Sequence, residues 1–108
     1  MVKMYRELIF TPIADQQYET LLNNPAKKGV LKQVQKTLKL LETNIRHQSL
    51  KTHKYSSLKG FKGEEVFGAY VQHKRPAAYR IFFHYGPDRI DKEQRIPVIT
   101  IVAITRHP

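Results

Sequence analysis

Two apolar runs in the C-terminal half constrain the fold of this chain more than any other feature. They are AAYRIFFHYG (77–86) and IPVITIVAITRHP (96–108), and the charged segment PDRIDKEQR separates them. Runs this rich in β-branched and aromatic residues favour β-strands, and the intervening segment favours an antiparallel hairpin between them. Because one face of such a sheet must be buried, the fold needs a second layer of structure.

The N-terminal half predicts that second layer. The segment MYRELIF (4–10) alternates in polarity and predicts a strand, while Thr11-Pro12 predicts a helix N-cap with proline at the first helical position. Apolar residues at helical spacing follow, namely Ala14, Tyr18, Leu21 and Leu22. Asn24-Pro25 then predicts the end of this helix and the cap of a second one.

The second predicted helix has two distinct faces. At about 100° per residue, its apolar stripe consists of Val30, Val34, Leu38 and Leu41. The opposite side is basic and consists of Lys28, Lys32, Lys36 and Lys39. This pattern predicts that the helix packs on the sheet through its apolar stripe and turns its lysines towards solvent or an anionic partner.

The remaining segments complete an α+β domain. The polar, basic segment 46–60 predicts a loop, EVFGAYVQ (65–72) predicts a strand, and HKRPA (73–77) predicts a turn. We therefore predict one domain over residues 1–108 with the order β-α-α-β-β-β. In it, two N-terminal helices pack on one face of a mainly antiparallel sheet of about four strands.

Composition narrows the classes of function. Nineteen Lys and Arg against nine Asp and Glu give a net charge of +10, which favours a nucleic-acid or acidic partner. The absence of cysteine excludes disulfides, thiolate metal sites and a Cys nucleophile, and the five histidines lack the spacing of a zinc site. With no apolar run of about 18 residues and no signal sequence, we expect a soluble, cytoplasmic protein that binds neither metal nor membrane.

One polar residue stands out within the first apolar run. Alternation along 78–86 places Tyr79, Ile81, Phe83 and Tyr85 on one face, which we expect under the helices. Arg80, Phe82 and His84 fall on the other face. There Arg80 is either an ordinary solvated arginine or a ligand that holds phosphate through paired hydrogen bonds.

The order of elements and the pieces SLKTHKY, YRIFFHYG and ITIVAITRHP resemble the RelE/ParE superfamily of bacterial toxins, in its mRNA interferase branch. The resemblance implies a cognate antitoxin as partner, acidic or strand-adding, and mRNA on the ribosome as substrate. It also implies that Arg80 contacts the scissile phosphate, that Arg106 supplies charge, and that His107 serves in acid–base catalysis.

The chemistry that the resemblance implies requires no cofactor. The 2′-OH of the RNA is the nucleophile, so the protein needs a base, an acid and cations for the charge that develops on phosphorus. His107 supplies one proton-transfer group. The candidates for the second are His53, Lys54 and Tyr70, and we predict that Lys51 and Lys54 contact phosphate or antitoxin.

Two positions depart from the pattern of the subgroup with a catalytic histidine. Gln48 stands where a glutamate is expected, and Pro108 stands where a tyrosine is expected. Two other interpretations therefore stay open. One is a gyrase inhibitor of the ParE branch, which acts by binding protein. The other is a catalytically silent relative that binds RNA or an antitoxin.

Overall fold

The computed structural model describes residues 5–72 and 78–106. The predicted turn at 73–77 and the predicted catalytic residue His107 lie outside the described residues. The helices are α1 (Pro12–Leu22) and α2 (Lys28–Thr43). The strands are β1 (Glu7–Phe10), β2 (His53–Lys59), β3 (Glu65–Tyr70), β4 (Tyr79–Tyr85), β5 (Arg89–Asp91), β6 (Gln94–Ile96) and β7 (Val98–Arg106).

Five of the strands form one sheet in the order β1-β7-β4-β3-β2, and β5 and β6 form a separate hairpin. Strand β1 runs parallel to β7, and the other neighbours are antiparallel. The predicted α+β class, with two helices and a mainly antiparallel sheet, is confirmed. The predicted strand number and element order are wrong, since β2, β5 and β6 are additional. One 3-10 turn (Pro25–Lys27) also lies between the helices, and another (Gln48–Leu50) lies between α2 and β2.

Strand β2 lies within the segment that was predicted as a loop. Its sequence HKYSSLK is polar, and every residue except Tyr55 is exposed. It forms one edge of the sheet and hydrogen-bonds to β3. An edge strand of this kind buries little, so the apolar alternation that identifies a strand from sequence is missing.

Thr11 fixes the start of α1. Its hydroxyl accepts a hydrogen bond from Ala14 N at 3.1 Å and donates to the carbonyl of Val102 at 3.0 Å. Pro12 occupies the first turn, as the sequence predicts. The cap therefore also ties the helix to β7.

The main core lies between the helices and one face of the sheet. It contains the buried Ala14 and Leu21 of α1 and Val34, Leu38 and Leu41 of α2, with Ile81, Phe83, Ile99 and Ile101 of the sheet. Both helices thus pack against the sheet face predicted for them. The Thr37 hydroxyl donates to the carbonyl of Tyr70 at 3.1 Å, which attaches α2 to the end of β3.

The opposite sheet face is partly covered by the chain itself. Phe82 is 1% exposed, and its ring centroid lies 4.8 Å from that of Tyr55 on β2. Arg80 and His84 lie on this same face at the two ends of β4. Tyr55 of β2 thus covers the middle of this face, and Arg80 and His84 lie in separate regions at the two ends of β4.

Candidate functional site

Tyr70 and Arg80 form the centre of the candidate site. They are register partners on β3 and β4, and the guanidinium carbon of Arg80 lies 3.9 Å from the centroid of the Tyr70 ring. Arg80 Nη1 also donates to the carbonyls of Gln72 at 3.1 Å and Tyr79 at 3.0 Å. Stacking and two hydrogen bonds therefore fix the guanidinium plane.

The other nitrogens of Arg80 lack protein acceptors within the described residues. Nε is buried without a hydrogen-bond partner there, and Nη2 makes no hydrogen bond to a described residue. A buried donor without an acceptor costs about 1–3 kcal/mol, so an anion on this side of the guanidinium would be favourable. A phosphate offers the oxygens that a guanidinium binds through paired hydrogen bonds.

Lys51 and His53 lie beside the same aromatic ring. Lys51 Nζ is 5.8 Å from the centroid of the Tyr70 ring, and the imidazole centroid of His53 is 6.0 Å from it. His53 Nδ1 lies 3.0 Å from the carbonyl of Lys51. Because a carbonyl only accepts, Nδ1 carries the proton in this contact, and the neutral ring then keeps its lone pair on Nε2.

The backbone at Lys51 follows from the turn that precedes β2. Lys51 has φ of 42°, in the left-handed region, and it ends the 3-10 turn Gln48–Leu50. A non-glycine residue in that region costs of order 1–3 kcal/mol and concentrates at functional sites. The strained turn delivers both Lys51 and His53 to the Tyr70 ring.

The arrangement therefore combines two cations with an oriented imidazole. Arg80 and Lys51 are suited to bind a phosphate, and His53 Nε2 is suited to accept a proton from a bound hydroxyl. Four of the residues predicted from sequence, Lys51, His53, Tyr70 and Arg80, are thus brought together.

Lys54 does not join this group. Its ammonium group donates to Glu65 at 2.9 Å, and that hydrogen bond lowers the pKa of the Glu65 carboxyl. Its register partner is Phe67, whose side chain packs against the main core. Lys54 therefore lies on the other side of β2 from His53.

Arg106 is also separated from Arg80. It pairs with Tyr79, and its guanidinium carbon lies 6.0 Å from the Tyr79 ring centroid. Lys27 Nζ lies 5.5 Å from the same centroid. Arg80 pairs instead with Thr105, so Arg106 belongs to the opposite face of the sheet. The expectation that Arg106 acts beside Arg80 is not supported by this placement.

Sequence reasoning missed the contribution of Gln72. Its carbonyl accepts from Arg80 Nη1, and its side-chain oxygen accepts from the amide of Tyr79 at 3.1 Å. Gln72 thus supports the site from the end of β3. A glutamine before a predicted turn carries no sequence signal for this role.

Within residues 5–72 and 78–106, no group of three or more His, Cys, Asp or Glu side chains is placed to hold a metal ion. Neither described helix combines the length and hydrophobicity that crossing a lipid bilayer demands.

Comparison with solved structures identifies a similar fold. The chain superposes on the YoeB dimer structure from Staphylococcus aureus with a TM-score of 0.57 and 18% identity, over 96% of this chain and 99% of that chain. No protein-family model and no curated protein sequence matches the chain. The similarity confirms the predicted resemblance at the level of the fold.

Proposed function

We propose that this protein is the toxin of a toxin–antitoxin pair and that it cleaves mRNA on the ribosome without a metal cofactor. The observation that carries the proposal is the Arg80 guanidinium, which is fixed on Tyr70 while Nε and Nη2 lack acceptors among the described residues. The fold shared with YoeB and the net charge of +10 support it.

In the proposed reaction, the 2′-oxygen of a ribose attacks the adjacent phosphorus and the bond from phosphorus to the 5′-oxygen breaks. His53 Nε2 takes the proton of the 2′-OH, and a proton from His107 goes to the departing 5′-oxygen. Arg80 and Lys51 stabilise the negative charge that develops on the phosphoryl oxygens. The products are a 2′,3′-cyclic phosphate and a free 5′-hydroxyl, so atoms and protons balance without water.

The proposed antitoxin is an acidic or strand-adding polypeptide. Strands β1 and β2 form the two edges of the described sheet, and an exposed edge suits a partner that adds a strand. The basic face of α2 suits acidic side chains of the same partner.

The test is cleavage of a defined mRNA on translating ribosomes by purified parent and single-site variants. Arg80→Ala should reduce the rate by roughly 10²-fold or more, and Arg80→Lys should restore it only in part, because an ammonium lacks the planar fork of donors. His53→Ala and His107→Ala should each cost about 10²- to 10⁴-fold, with ribosome affinity retained.

The matched control is Arg95→Ala. This exposed arginine pairs with Asp88 beside the β5–β6 hairpin, so its loss changes the net charge equally without touching the site. Cleavage by Arg95→Ala should match the parent. A parent protein that cleaves no mRNA but blocks DNA gyrase would overturn the proposal in favour of a gyrase inhibitor.

A further inference from the structure

A second candidate region lies at the other end of the sheet face that carries Arg80. There the β2–β3 hairpin, the end of β4 and the middle of β7 line a cavity of about 270 Å³ that opens to solvent. Its lining includes Lys59, Phe61, Lys62, Glu64, His84 and Thr100. Lys51, His53, Tyr70 and Arg80 do not line it, so the cavity is separate from the cleavage site.

Phe61 is the most exposed large apolar residue among those described. Its side chain is fully exposed at the tip of the hairpin, between Lys59 and Lys62. An exposed ring between two cations is the arrangement with which proteins bind single-stranded nucleic acid, because the ring stacks on a base and the cations meet its phosphates. The hairpin tip therefore has the chemistry of a nucleotide contact.

Two titratable side chains lie on the inner wall of the cavity, whose surface is otherwise mainly apolar. His84 is 5% exposed, and its Nδ1 lies 3.1 Å from the carbonyl of Tyr85. That contact requires a proton on Nδ1, because a carbonyl oxygen only accepts. Glu64 accepts from the amide of Lys62 at 2.9 Å, and hydrogen bonds from backbone amides lower the pKa of its carboxyl.

Gly60 allows these groups to meet. A Cβ at this position would collide with the Glu64 carboxylate and lie 2.9 Å from His84 Cδ2. The hairpin backbone therefore passes directly over the imidazole and the carboxylate, which a larger residue would prevent. This close approach brings a carboxylate and an imidazole together in a cavity that Phe61 also lines.

We propose that this cavity binds one base of the single-stranded RNA substrate, with the base stacked on Phe61 and its N–H edge on Glu64. The inference rests on the proposed function for its choice of RNA. His84 and Arg80 are four residues apart on β4, about 13 Å at 3.3 Å per residue. The base therefore belongs to a nucleotide that flanks the cleaved phosphate.

The acceptors on the cavity wall select among bases. Guanine presents adjacent N1–H and N2–H donors on its Watson–Crick edge, whereas uracil places carbonyl oxygens on both sides of its single N–H. A carboxylate attracts the first arrangement and is repelled by the carbonyls of the second. We expect guanine to be preferred, with Glu64 as the residue that determines the preference.

The test uses short 2′-fluoro RNA oligonucleotides, which lack the 2′-OH nucleophile and so report binding without cleavage. Phe61→Ala should weaken binding about 5- to 150-fold, the range expected for loss of one stacked base. Phe61→Tyr should bind like the parent because it keeps the ring. The matched control is Leu58→Ala, since Leu58 is an exposed apolar residue of β2 outside the cavity lining.

Replacing one nucleotide at a time by an abasic nucleotide locates the stacked base in the oligonucleotide. One position should weaken binding to the parent, and the same position should have no further effect on Phe61→Ala. Glu64→Gln should remove the preference for guanine at that position. If the loss of affinity from the abasic nucleotide simply adds to the loss from Phe61→Ala, the proposal is overturned. Binding of poly-glutamate that depends on Phe61 would also overturn it, because the ring would then contact a protein partner.

The experiments distinguish failure of the base site from failure of the proposed cleavage function. Arg80→Ala should lose cleavage and keep Phe61-dependent binding of the oligonucleotide. A parent that cleaves nothing but retains this binding would refute the proposed function and leave the base site standing. A parent that cleaves mRNA but binds oligonucleotides equally with and without the Phe61 ring would refute the base site alone.

Discussion

At the scale of single residues, Arg80 illustrates how a sheet can hold a cation in a fixed orientation. Its Nη1 binds two carbonyls and its plane lies on Tyr70, so the side chain loses little further freedom when an anion arrives. Fixing donors before the charge develops is the main source of electrostatic catalysis. An exposed lysine in the same place would have to be immobilised on binding.

Glu64 gives a residue-scale prediction about pH. Backbone hydrogen bonds hold the pKa of its carboxyl below the ordinary value of 4.5. A depressed folded pKa adds stability above the unfolded pKa, and this contribution is lost as pH falls through the folded pKa. Parent and Glu64→Gln should therefore differ in urea midpoint at pH 6, and the difference should be smaller at pH 3.

The control for this experiment is Glu19→Gln. Glu19 is an exposed carboxylate on α1 whose side chain makes no hydrogen bond to a described residue. Its urea midpoint should follow the parent at both pH values. A constant difference between Glu64→Gln and the parent across this range would contradict the assigned hydrogen bonds.

The sequence predicted the members of the candidate site better than their arrangement. Alternation placed Arg80 on the face opposite the helices because β4 is apolar on one side and mixed on the other. The meeting of Lys51, His53 and Tyr70 was not predictable, since it depends on the turn at Lys51 and on the pairing of β2 with β3. Segment 46–60 has no apolar period that would reveal this pairing.

At the scale of elements, a bulge in β7 determines where Arg106 lies. Phe82 pairs with Ala103 and Phe83 pairs with Ile101, so Val102 is an extra residue in β7. A one-residue insertion exchanges the two faces for every later position. Uninterrupted alternation would have put Arg106 on the face of Arg80, and the uniformly apolar sequence of β7 gave no sign of the change.

The capping residue of α1 gives a prediction at this scale. Thr11→Ala removes both the acceptor for Ala14 N and the donor to Val102. It should lower the free energy of unfolding by about 0.5–2 kcal/mol, measured by urea denaturation at neutral pH. Thr11→Ser should retain most of this stability, because its hydroxyl can make both bonds.

A second threonine on α1 serves as the control that tests whether the loss of stability in Thr11→Ala comes from the lost cap. Thr20 is exposed on the same helix, and its hydroxyl donates to the Gln16 carbonyl. Thr20→Ala should leave stability within about 0.5 kcal/mol of the parent. Equal losses at both positions would show that helix propensity, rather than capping, accounts for the result.

At the scale of the whole molecule, the net charge of +10 predicts fast, salt-dependent association with phosphate-rich surfaces. The Debye length shrinks from about 30 Å at 0.01 M salt to about 8 Å at 0.15 M. The association rate with purified ribosomes, followed by stopped-flow fluorescence, should fall steeply over that range. A rate that stays flat would remove electrostatic steering from the proposal.

Two charge-reversal variants distinguish an effect of total charge from docking through the basic face of α2. Lys32→Glu and Arg95→Glu change the net charge equally, but Lys32 lies on the exposed side of α2 and Arg95 lies on the β5–β6 hairpin. If the basic face of α2 docks on RNA, Lys32→Glu should slow association more than Arg95→Glu. Equal slowing would indicate that total charge alone sets the rate.

The position of β7 has a consequence for biosynthesis. This strand lies between β1 and β4 in the sheet, yet it is the last of the described strands to be translated. The bond between Thr11 and Val102 joins residues 91 apart, an interval of roughly 5–20 s at 5–20 residues per second. Until β7 emerges from the exit tunnel, β1 and β4 lack their shared neighbour and the nascent chain cannot complete its sheet. The candidate site on β3 and β4 therefore lies in a sheet that is completed only after Arg106, the last residue of β7, has left the exit tunnel.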